Sequence, residues 1–276
     1  MSDSPSRPER PARPQITLQV LRREQLTPHL VRIVLSGERF EDFQNTALTD
    51  KYVKIFFAKP ELGLTPPYDV AALRDSLEPD DLPVTRTYTV RAVDPVQRTL
   101  SIDFVVHGDE GLAGPWADAA VPGDALTFAG PGGGYAPDPD AAWHLLVGDQ
   151  SAVPAIASAL EALPESARGL AFVQVPDAGE VLPLTAPAGV EVRWLVGTDA
   201  AALAEAVGST PWLEGRPQIF AHGERSAVKE LRNLFSERGV QRSELSLSGY
   251  WALGRTEDRF QAEKREPVGV ILPVSD

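Results

Sequence analysis

The chain has 276 residues, of which 43% are hydrophobic, so it is long enough to bury a sizeable core in one or two domains. Its 26 basic and 39 acidic residues give a formal net charge of −13, which argues against nucleic acid or an anionic membrane as the main partner. The absence of cysteine excludes disulfides, thiolate catalysis and cysteine-ligated iron–sulfur clusters within the chain. Any electron carrier must therefore be a bound cofactor.

The first fourteen residues, 1–14, form a tail rich in proline, arginine and serine without an apolar run. This composition is typical neither of a secretion signal nor of a membrane span. The sequence therefore predicts a disordered tail on a cytoplasmic protein that does not enter a membrane.

Short apolar runs of alternating character follow the tail and are separated by Pro, Gly and Asp. This pattern is typical of an antiparallel β-barrel, which we expect over residues 15–138. The predicted strands are 16–21, 30–35, 52–58, 86–93, 100–106 and 125–129, and the long loop 59–83 is expected to hold a short helix over 70–76.

The pattern changes after the glycine-rich run 130–134, where apolar strands begin to alternate with helical segments rich in Ala and Leu. Strands are predicted over 144–148, 169–175, 190–196, 218–222 and 244–248, and helices over 152–162, 200–207 and 226–238. Such alternation implies a parallel sheet with right-handed crossovers, hence an α/β nucleotide-binding domain over 139–276, ending in a charged helix. The run 130–134 lacks the Gly-Lys-Ser or Gly-Lys-Thr ending of a phosphate loop, so we interpret it as an interdomain turn.

The strand Thr-Arg-Thr-Tyr-Thr-Val-Arg at 85–91 carries the most informative side chains. Because side chains alternate along a strand, Arg86 and Tyr88 share one face and Thr89 lies on the other. A guanidinium can bind a diphosphate and a phenol can stack on a planar ring, so this strand is suited to a flavin. Taken alone, it would be an ordinary half-exposed barrel strand.

Further motifs accompany this strand in a fixed order. They are Asp103-Phe104-Val105-Val106-His107-Gly108, Gly111-Leu112-Ala113-Gly114-Pro115-Trp116-Ala117, Pro122-Gly123-Asp124, Gly148-Asp149 and Gly249-Tyr250-Trp251. In this order the chain resembles the siderophore-interacting proteins, which are FAD-dependent ferric-siderophore reductases of the ferredoxin-reductase superfamily. The resemblance covers nearly everything after the tail. It implies an FAD-binding barrel followed by a Rossmann-like domain that binds NADH or NADPH.

The resemblance also implies roles for residues of the barrel. Arg86 would pair with the FAD diphosphate, Tyr88 would stack near the flavin ring and Thr89 would lie near flavin N5. The other implied cofactor contacts in this domain are Asp103, Phe104, Val105, His107, Gly111, Ala113, Gly114 and Trp116. By itself His107 would be a loop histidine, and 111–117 is either a simple Gly-Pro turn or a helix entry whose amides hold a phosphate.

In the second domain the implied cofactor contacts are Asp149, Ala152, Glu224, Tyr250 and Trp251. Asp149 and Glu224 follow predicted strands, at the edge where open α/β sheets bind ligands. Each could instead cap the helix that follows it, and the aromatic pair 250–251 could be ordinary core. No Arg or Lys cluster follows the strand 190–196, so the sequence does not separate NADH from NADPH.

The substrate side departs from the family pattern. Family members commonly carry a basic residue in the Gly-Pro-x-Gly turn and an arginine after the tryptophan, where this chain has Gly132 and Ala252. Lys54 and Arg255 are the candidates for binding an anionic ferric siderophore, with Lys51 and Lys264 as further basic residues.

The resemblance therefore implies a monomeric enzyme in which NADH or NADPH reduces FAD, and FAD reduces a ferric siderophore. The missing basic residues leave open another electron acceptor, namely a quinone, free flavin or a biosynthetic metabolite. A non-catalytic FAD-binding protein on the same fold is the third hypothesis. The four histidines show no ligand spacing, so no resident metal is expected.

Overall fold

The structure, a computed structural model, describes residues 13–106, 108 and 111–274. His107 and most of the N-terminal tail lie outside the described residues, so the sequence-based expectations for them stay predictions.

The first half of the chain forms a closed six-stranded barrel, as predicted. Its strands are β1 (Gln15–Thr27), β2 (Leu30–Ser36), β3 (Tyr52–Phe57), β4 (Val84–Asp94), β5 (Thr99–Val105) and β6 (Ala125–Gly132). They pair antiparallel in the order β1-β2-β5-β4-β3-β6. The alternation is plain on β3, where Val53 and Ile55 are buried in the barrel and Lys54 between them is exposed.

Two short helices accompany the barrel. They are α1 (Val70–Leu73) and α2 (Ala113–Ala119). The Asp69 side chain caps α1 by accepting a hydrogen bond from the Ala72 amide. The helix is shorter than the predicted 70–76, because the residues after Leu73 continue as hydrogen-bonded turns.

The second half forms a five-stranded parallel sheet with helices on both faces. The strands are β7 (Trp143–Asp149), β8 (Gly169–Val175), β9 (Val190–Val196), β10 (Pro217–Glu224) and β11 (Leu245–Trp251), and the helices are α3 (Val153–Ala162), α4 (Ala201–Ser209), α5 (Arg225–Glu237) and α6 (Glu257–Glu263). The strand order is β11-β10-β7-β8-β9. Because the order reverses at β7, the carboxyl ends of β7 and β10 flank the crevice in which such sheets bind ligands. None of the helices in the described part of the chain is long and apolar enough to cross a bilayer.

The glycine-rich run 130–134 is not wholly the turn that the sequence suggested. Strand β6 continues to Gly132, which pairs with Tyr52 of β3. The reason is steric, because a Cβ on Gly132 would lie only 2.4 Å from Cζ of Tyr52. The missing side chain leaves room for the Tyr52 ring to lie across β6, and only Gly133 and Gly134 belong to the connection.

A buried carboxylate joins the two domains. Glu180, in the loop after β8, is 2% exposed and reaches the β1–β2 hairpin of the barrel. Its Oε1 accepts a hydrogen bond from the His29 amide (3.0 Å) and lies 2.8 Å from Nδ1 of the same residue. Its Oε2 accepts hydrogen bonds from Gln150 Nε2 (2.6 Å) and the Thr27 hydroxyl.

Within the described residues, one group of three side chains has atoms close enough to hold a metal ion, namely His29, Asp177 and Glu180. Both carboxylate oxygens of Glu180 already accept hydrogen bonds, which accounts for the burial of its charge. The expectation of no resident metal stays a prediction.

Candidate functional site

The barrel half of the site is an aromatic stack beside β4. The Tyr88 and Phe104 ring centroids are 4.4 Å apart, and Trp116 of α2 lies 5.7 Å behind Phe104. Phe104 is completely buried, so it supports Tyr88 from the barrel interior. Burial raises the pKa of the Tyr88 hydroxyl well above its ordinary value, with nearby Glu257 acting in the same direction. Tyr88 therefore presents a neutral ring at neutral pH.

Arg86, two positions earlier on β4, already holds an anion. Its Nη1 and Nη2 atoms donate to the two carboxylate oxygens of Asp258 on α6, each at 3.0 Å. This is the two-point geometry in which a guanidinium also binds phosphate oxygens. The Asp258 carboxylate thus binds the two guanidinium nitrogens that, from the sequence, we expect to bind a diphosphate.

The sheet half of the site is organised by Asp149 at the carboxyl end of β7. Its Oδ2 accepts hydrogen bonds from the Glu224 amide (2.6 Å) and from Nε1 of Trp251 (2.9 Å). Its Oδ1 accepts from the amide and hydroxyl of Ser151. Burial raises the pKa of the Asp149 carboxyl, and these hydrogen bonds oppose the rise. Asp149 thereby ties together the ends of β7, β10 and β11.

Close approach at this point requires Gly223, whose φ is +148°. A Cβ there would lie 2.6 Å from Oδ2 of Asp149. A side chain at position 223 would therefore push the carboxylate away from the Glu224 amide.

The Glu224 carboxylate caps helix α5. One oxygen accepts hydrogen bonds from the Ser226 (2.5 Å) and Ala227 (3.0 Å) amides, and the other from the Leu253 amide (3.2 Å). The sequence allowed either this capping role or a contact with a cofactor. Contact of Glu224 with a nucleotide stays a prediction.

Tyr250 links the sheet half to the barrel half. Its hydroxyl lies 3.0 Å from Nδ1 of His222, and the buried Thr89 of β4 lies nearby. Burial lowers the pKa of His222 to about 3, so its imidazole is neutral at ordinary pH. Trp251, by contrast, is 39% exposed and open to a ligand.

Sequence reasoning missed the part played by His222, whose other ring nitrogen lies 2.9 Å from the Ser246 hydroxyl. Its ring stacks on Phe220 with centroids 3.8 Å apart. The signal in the sequence that could have indicated this role was the position of His222 at the carboxyl end of a predicted strand.

The remaining predicted cofactor residues fall into two groups. Asp103 is buried in a two-point ion pair with Arg32 on the neighbouring strand, and Ala152 is completely buried, so both side chains are engaged inside the protein. The others lie around the entry to α2 or the end of β5, and they are Val105, Gly111, Ala113 and Gly114. Their contacts with a cofactor stay predictions.

The residues proposed to bind the substrate differ in whether they already take part in an ion pair. Lys54 is exposed on β3 and forms no ion pair within the described residues. Lys264 lies close enough to Lys54 for their charges to interact. Burial is the main cause of the lowered pKa of Lys264, and the positive charge of Lys54 acts in the same direction. Arg255 instead donates from Nε to Glu263 Oε1 at 2.7 Å.

Glu263 also accepts hydrogen bonds from Arg225 and Arg259. These three arginines, with Arg225 foremost, lower the pKa of Glu263 to about 2. The Arg255 guanidinium therefore belongs to a cluster of three arginines around Glu263, at the C-terminal end of α6.

The side chains present fit FAD. Arg86 already binds a carboxylate in the geometry suited to a phosphate, and Tyr88 and Trp251 offer aromatic surfaces on the two sides of the junction. Around Gly108 and Gly111 no atom of the described residues beyond the adjacent ones lies within 4 Å of where a Cβ would stand. A diphosphate, a planar ring system and a nucleotide are the three parts that such a site can bind.

The barrel followed by a parallel sheet defines a protein of the ferredoxin-reductase fold. The fold resembles ferredoxin NADP+ reductase from Neisseria gonorrhoeae with a TM-score of 0.59 at 13% identity, covering 86% of this chain and 99% of that one. Residues 19–135 match the sequence model described as "Siderophore-interacting FAD-binding domain", and residues 141–254 match "Siderophore-interacting protein". The chain belongs to the siderophore-interacting protein family, and its barrel is an FAD-binding domain.

Named relatives and a solved structure agree with this membership. The chain is 32% identical over 259 residues to the ferric vibriobactin reductase ViuB of Vibrio cholerae, covering 90% of this chain and 93% of that protein. It is 31% identical over 242 residues to an NADPH-dependent ferric-chelate reductase of Escherichia coli, covering 85% and 91%. The crystal structure of the siderophore-interacting protein SipS from Aeromonas hydrophila matches with a TM-score of 0.78 at 32% identity, covering 94% and 100%.

Proposed function

We propose that this protein is an FAD-dependent NAD(P)H oxidoreductase that reduces a ferric siderophore and thereby releases Fe(II). The observation that carries the proposal is the position of Lys54. Lys54 is exposed on β3 and pairs in register with Thr87 of β4, so its side chain lies on the same face of the sheet as Thr89. A positive charge so close to the flavin-binding strand suits an anionic acceptor.

When bound, FAD accepts two electrons from a nicotinamide nucleotide and passes them on singly. In the proposal, Arg86 holds the diphosphate and Tyr88 provides a neutral stacking surface. Asp149 positions Trp251 by accepting a hydrogen bond from its indole nitrogen. We assign no general base, because one-electron reduction of iron requires positioning and electrostatics rather than proton abstraction.

Release of the metal follows from ligand preference. The hard oxygen donors of siderophores bind Fe(III) far better than Fe(II), so reduction by one electron weakens the complex. Lys54 and Lys264 would attract the anionic chelate, and Arg255 would act only after leaving Glu263.

The nicotinamide nucleotide is proposed to bind residues 139–276, at the carboxyl ends of β7, β10 and β11. The name of the Escherichia coli relative supports NADPH as one donor. We place the reaction in the cytoplasm, where nicotinamide nucleotides are available.

The experiment that tests this function is an anaerobic titration of the purified protein followed by its visible absorbance. NADH and then NADPH are added first, and a ferric siderophore last. Flavin bands that bleach with a nucleotide and return on addition of the chelate are the expected result. A flavin that neither nucleotide reduces would overturn the enzyme assignment and favour a non-catalytic FAD-binding protein.

A different acceptor is the second candidate, and the pairing of Arg255 with Glu263 favours it, because this arginine is not free to bind an anion. Gly132 and Ala252 add no charge to replace it. Initial rates of oxidation of the reduced protein by ferric chelates, quinones and free flavin separate the two candidates. Faster reaction with quinones than with every chelate would favour the second.

A further inference from the structure

The parallel sheet has the strand order of a doubly wound dinucleotide-binding domain. The first strand, β7, lies between the second, β8, and the fourth, β10, and α3 connects β7 to β8. In such a sheet the turn after the first strand lies beside the diphosphate, and the residues after the second strand approach the ribose of the adenosine. The corresponding segments are 150–152 after β7 and 176–181 after β8.

The loop after β8 is fixed beside the turn after β7. Gln150 of the turn donates from Nε2 to Oε2 of the buried Glu180, at 2.6 Å. Asp177 stands three residues before Glu180 and is exposed, and its Oδ1 accepts a hydrogen bond from the Gly179 amide at 2.8 Å. The Oδ2 atom of Asp177 accepts no hydrogen bond from the described residues. An exposed carboxylate oxygen is thus available where the ribose is expected.

The loop after β9 brings a second carboxylate to the same edge of the sheet. The main-chain carbonyl of Asp199 accepts a hydrogen bond from Nε2 of Gln174 on β8, at 2.7 Å. The Gly197 amide donates to the Val175 carbonyl at 2.9 Å. Because β8 and β9 are parallel neighbours, Asp177 and Asp199 lie on adjacent loops at the carboxyl ends of the strands.

Neither loop supplies a lysine or an arginine. Residues 169–192 and 194–215 include both loops and contain no such side chain, and all of them are described by the structure. Arg193 between these segments lies within β9, and its guanidinium donates to both carboxylate oxygens of Glu191, at 2.8 and 2.9 Å. A ligand at the ends of β8 and β9 therefore meets carboxylates, without an unpaired arginine or lysine from either loop.

The two nicotinamide nucleotides differ at the ribose of the adenosine. NADPH carries a 2′-phosphate there, whereas NADH has a hydroxyl. A carboxylate can accept a hydrogen bond from the hydroxyl, but it repels the phosphate, which binding sites commonly accommodate with an arginine. His29 approaches from the barrel, but its Nδ1 already lies 2.8 Å from Oε1 of Glu180.

We propose that the nicotinamide donor is NADH and that Asp177 and Asp199 are the specificity-determining residues. Asp177 accepts a hydrogen bond from the ribose 2′-hydroxyl, and both carboxylates repel a 2′-phosphate. The inference rests on the proposed function. Each NADH then supplies two electrons, which reduce two Fe(III) to two Fe(II), and NAD+ and one proton are released. The preference distinguishes this protein from the Escherichia coli relative, which is named as NADPH-dependent.

The first test is the rate at which each nucleotide reduces the FAD-loaded protein. NADH or NADPH is mixed anaerobically with the protein, and the flavin absorbance is followed by stopped flow. We expect the second-order rate constant for NADH to exceed that for NADPH by about tenfold or more at low salt. Added salt should narrow this ratio, because it screens the repulsion of the phosphate.

A second test measures the same discrimination without turnover. The probes are 5′-AMP and adenosine 2′,5′-bisphosphate, which differ by the 2′-phosphate alone. Isothermal titration calorimetry with the FAD-loaded protein gives each affinity. We expect 5′-AMP to bind about fivefold or more tightly than the bisphosphate.

Variants of Asp177 test the assignment of the residue. Asp177→Arg should lower the ratio of the NADH and NADPH rate constants by about tenfold or more, because an attracting charge replaces a repelling one. Asp177→Asn removes the charge at nearly constant size and should lower the ratio about threefold. Glu165→Arg is the matched control. It makes the same change of charge on an exposed residue before β8, at the opposite edge of the sheet, and should leave the ratio unchanged.

FAD content and thermal unfolding of each variant report whether the fold and the cofactor are retained. Equal rates with the two nucleotides, faster reduction by NADPH, or tighter binding of the bisphosphate would overturn the inference. A ratio that stays the same in both Asp177 variants would also overturn it. In each of these cases the proposed function stands, provided that a nucleotide reduces the flavin and a ferric siderophore reoxidises it. Failure of both nucleotides to reduce the flavin would overturn the two proposals together.

Discussion

Arg86 on β4 and Asp258 on α6 are joined by two hydrogen bonds of 3.0 Å, although they are 172 positions apart in the chain. The Arg86 side chain is 16% exposed and the Asp258 side chain 65% exposed, so the carboxylate is the more accessible partner. The sequence assigns the same guanidinium to the FAD diphosphate. Asp258 therefore competes with FAD for Arg86 in our proposal.

Replacement Asp258→Asn should tighten FAD binding, because the competing carboxylate is removed while the shape of the side chain is kept. An exposed ion pair contributes little, so we expect a Kd about two- to fivefold lower by fluorescence titration of the apoprotein. Glu266→Gln, which removes a nearby charge paired with Arg259, is the matched control and should leave the Kd unchanged. Weaker FAD binding by Asp258→Asn would show that the ion pair supports the site instead of competing with it.

Replacement Arg86→Ala should reduce FAD affinity by about 10- to 100-fold, since hydrogen bonds to a charged group are lost. The measurement is the flavin-to-protein absorbance ratio after purification, followed by titration with FAD. Arg91→Ala removes an arginine from the same strand that pairs with Glu161 instead, and it should keep its flavin. A full flavin complement in Arg86→Ala would refute the assignment of this residue.

His222 should make the folded state less stable in mild acid. Its pKa is about 3 in the folded protein against an ordinary 6.5, so the unfolded chain binds the additional proton between these values. Its contribution is complete above pH 6.5 and is lost as the pH falls through this window, by about 1–2 kcal/mol between pH 6.5 and pH 5. Urea unfolding as a function of pH measures it.

The variant His222→Gln should flatten this part of the pH dependence. His144, whose pKa is also lowered by burial, acts in the same direction, so His144→Gln is measured in parallel. An unchanged slope in His222→Gln would mean that His222 takes up its proton as readily in the folded protein as in the unfolded chain.

Replacement Glu180→Ala should destabilise the protein by about 2–4 kcal/mol, because Gln150, Thr27 and the His29 amide lose a buried acceptor. The measurement is urea unfolding monitored by circular dichroism. Asp177→Asn, on an exposed carboxylate of the same loop, should change the free energy of unfolding by less than about 1 kcal/mol. Equal effects of the two replacements would argue against a stabilising interdomain contact at Glu180.

Much of the fold could be predicted because burial patterns are local. The strands Gly169–Val175 and Val190–Val196 begin and end where the sequence predicts, and the barrel strands agree within a few residues except that β1 extends to Thr27. The turn expected at 130–134 was partly wrong, because the pairing of Gly132 with Tyr52 depends on a residue about eighty positions away.

The residues of the candidate site were proposed from the sequence, but the contacts among them were not. Motif order led to the family, which the comparisons confirm, and to Arg86 and Tyr88 as the informative side chains. No local pattern indicated that Asp258 would pair with Arg86, and the sequence left open whether Glu224 caps α5 or contacts a cofactor. Each of these contacts joins segments that are distant in sequence, or chooses between two uses of one carboxylate.

The sequence by itself determined the barrel, the parallel sheet and the class of cofactor, because alternation, periodicity and motif order are properties of neighbouring residues. Tertiary structure alone decided which charges are free and which are engaged. Lys54 has no ion-pair partner in the part of the chain that the structure describes, whereas Arg255 pairs with Glu263 and Arg86 with Asp258. The physical reason is that a charge takes its partner from whatever the folded chain brings within a few ångströms.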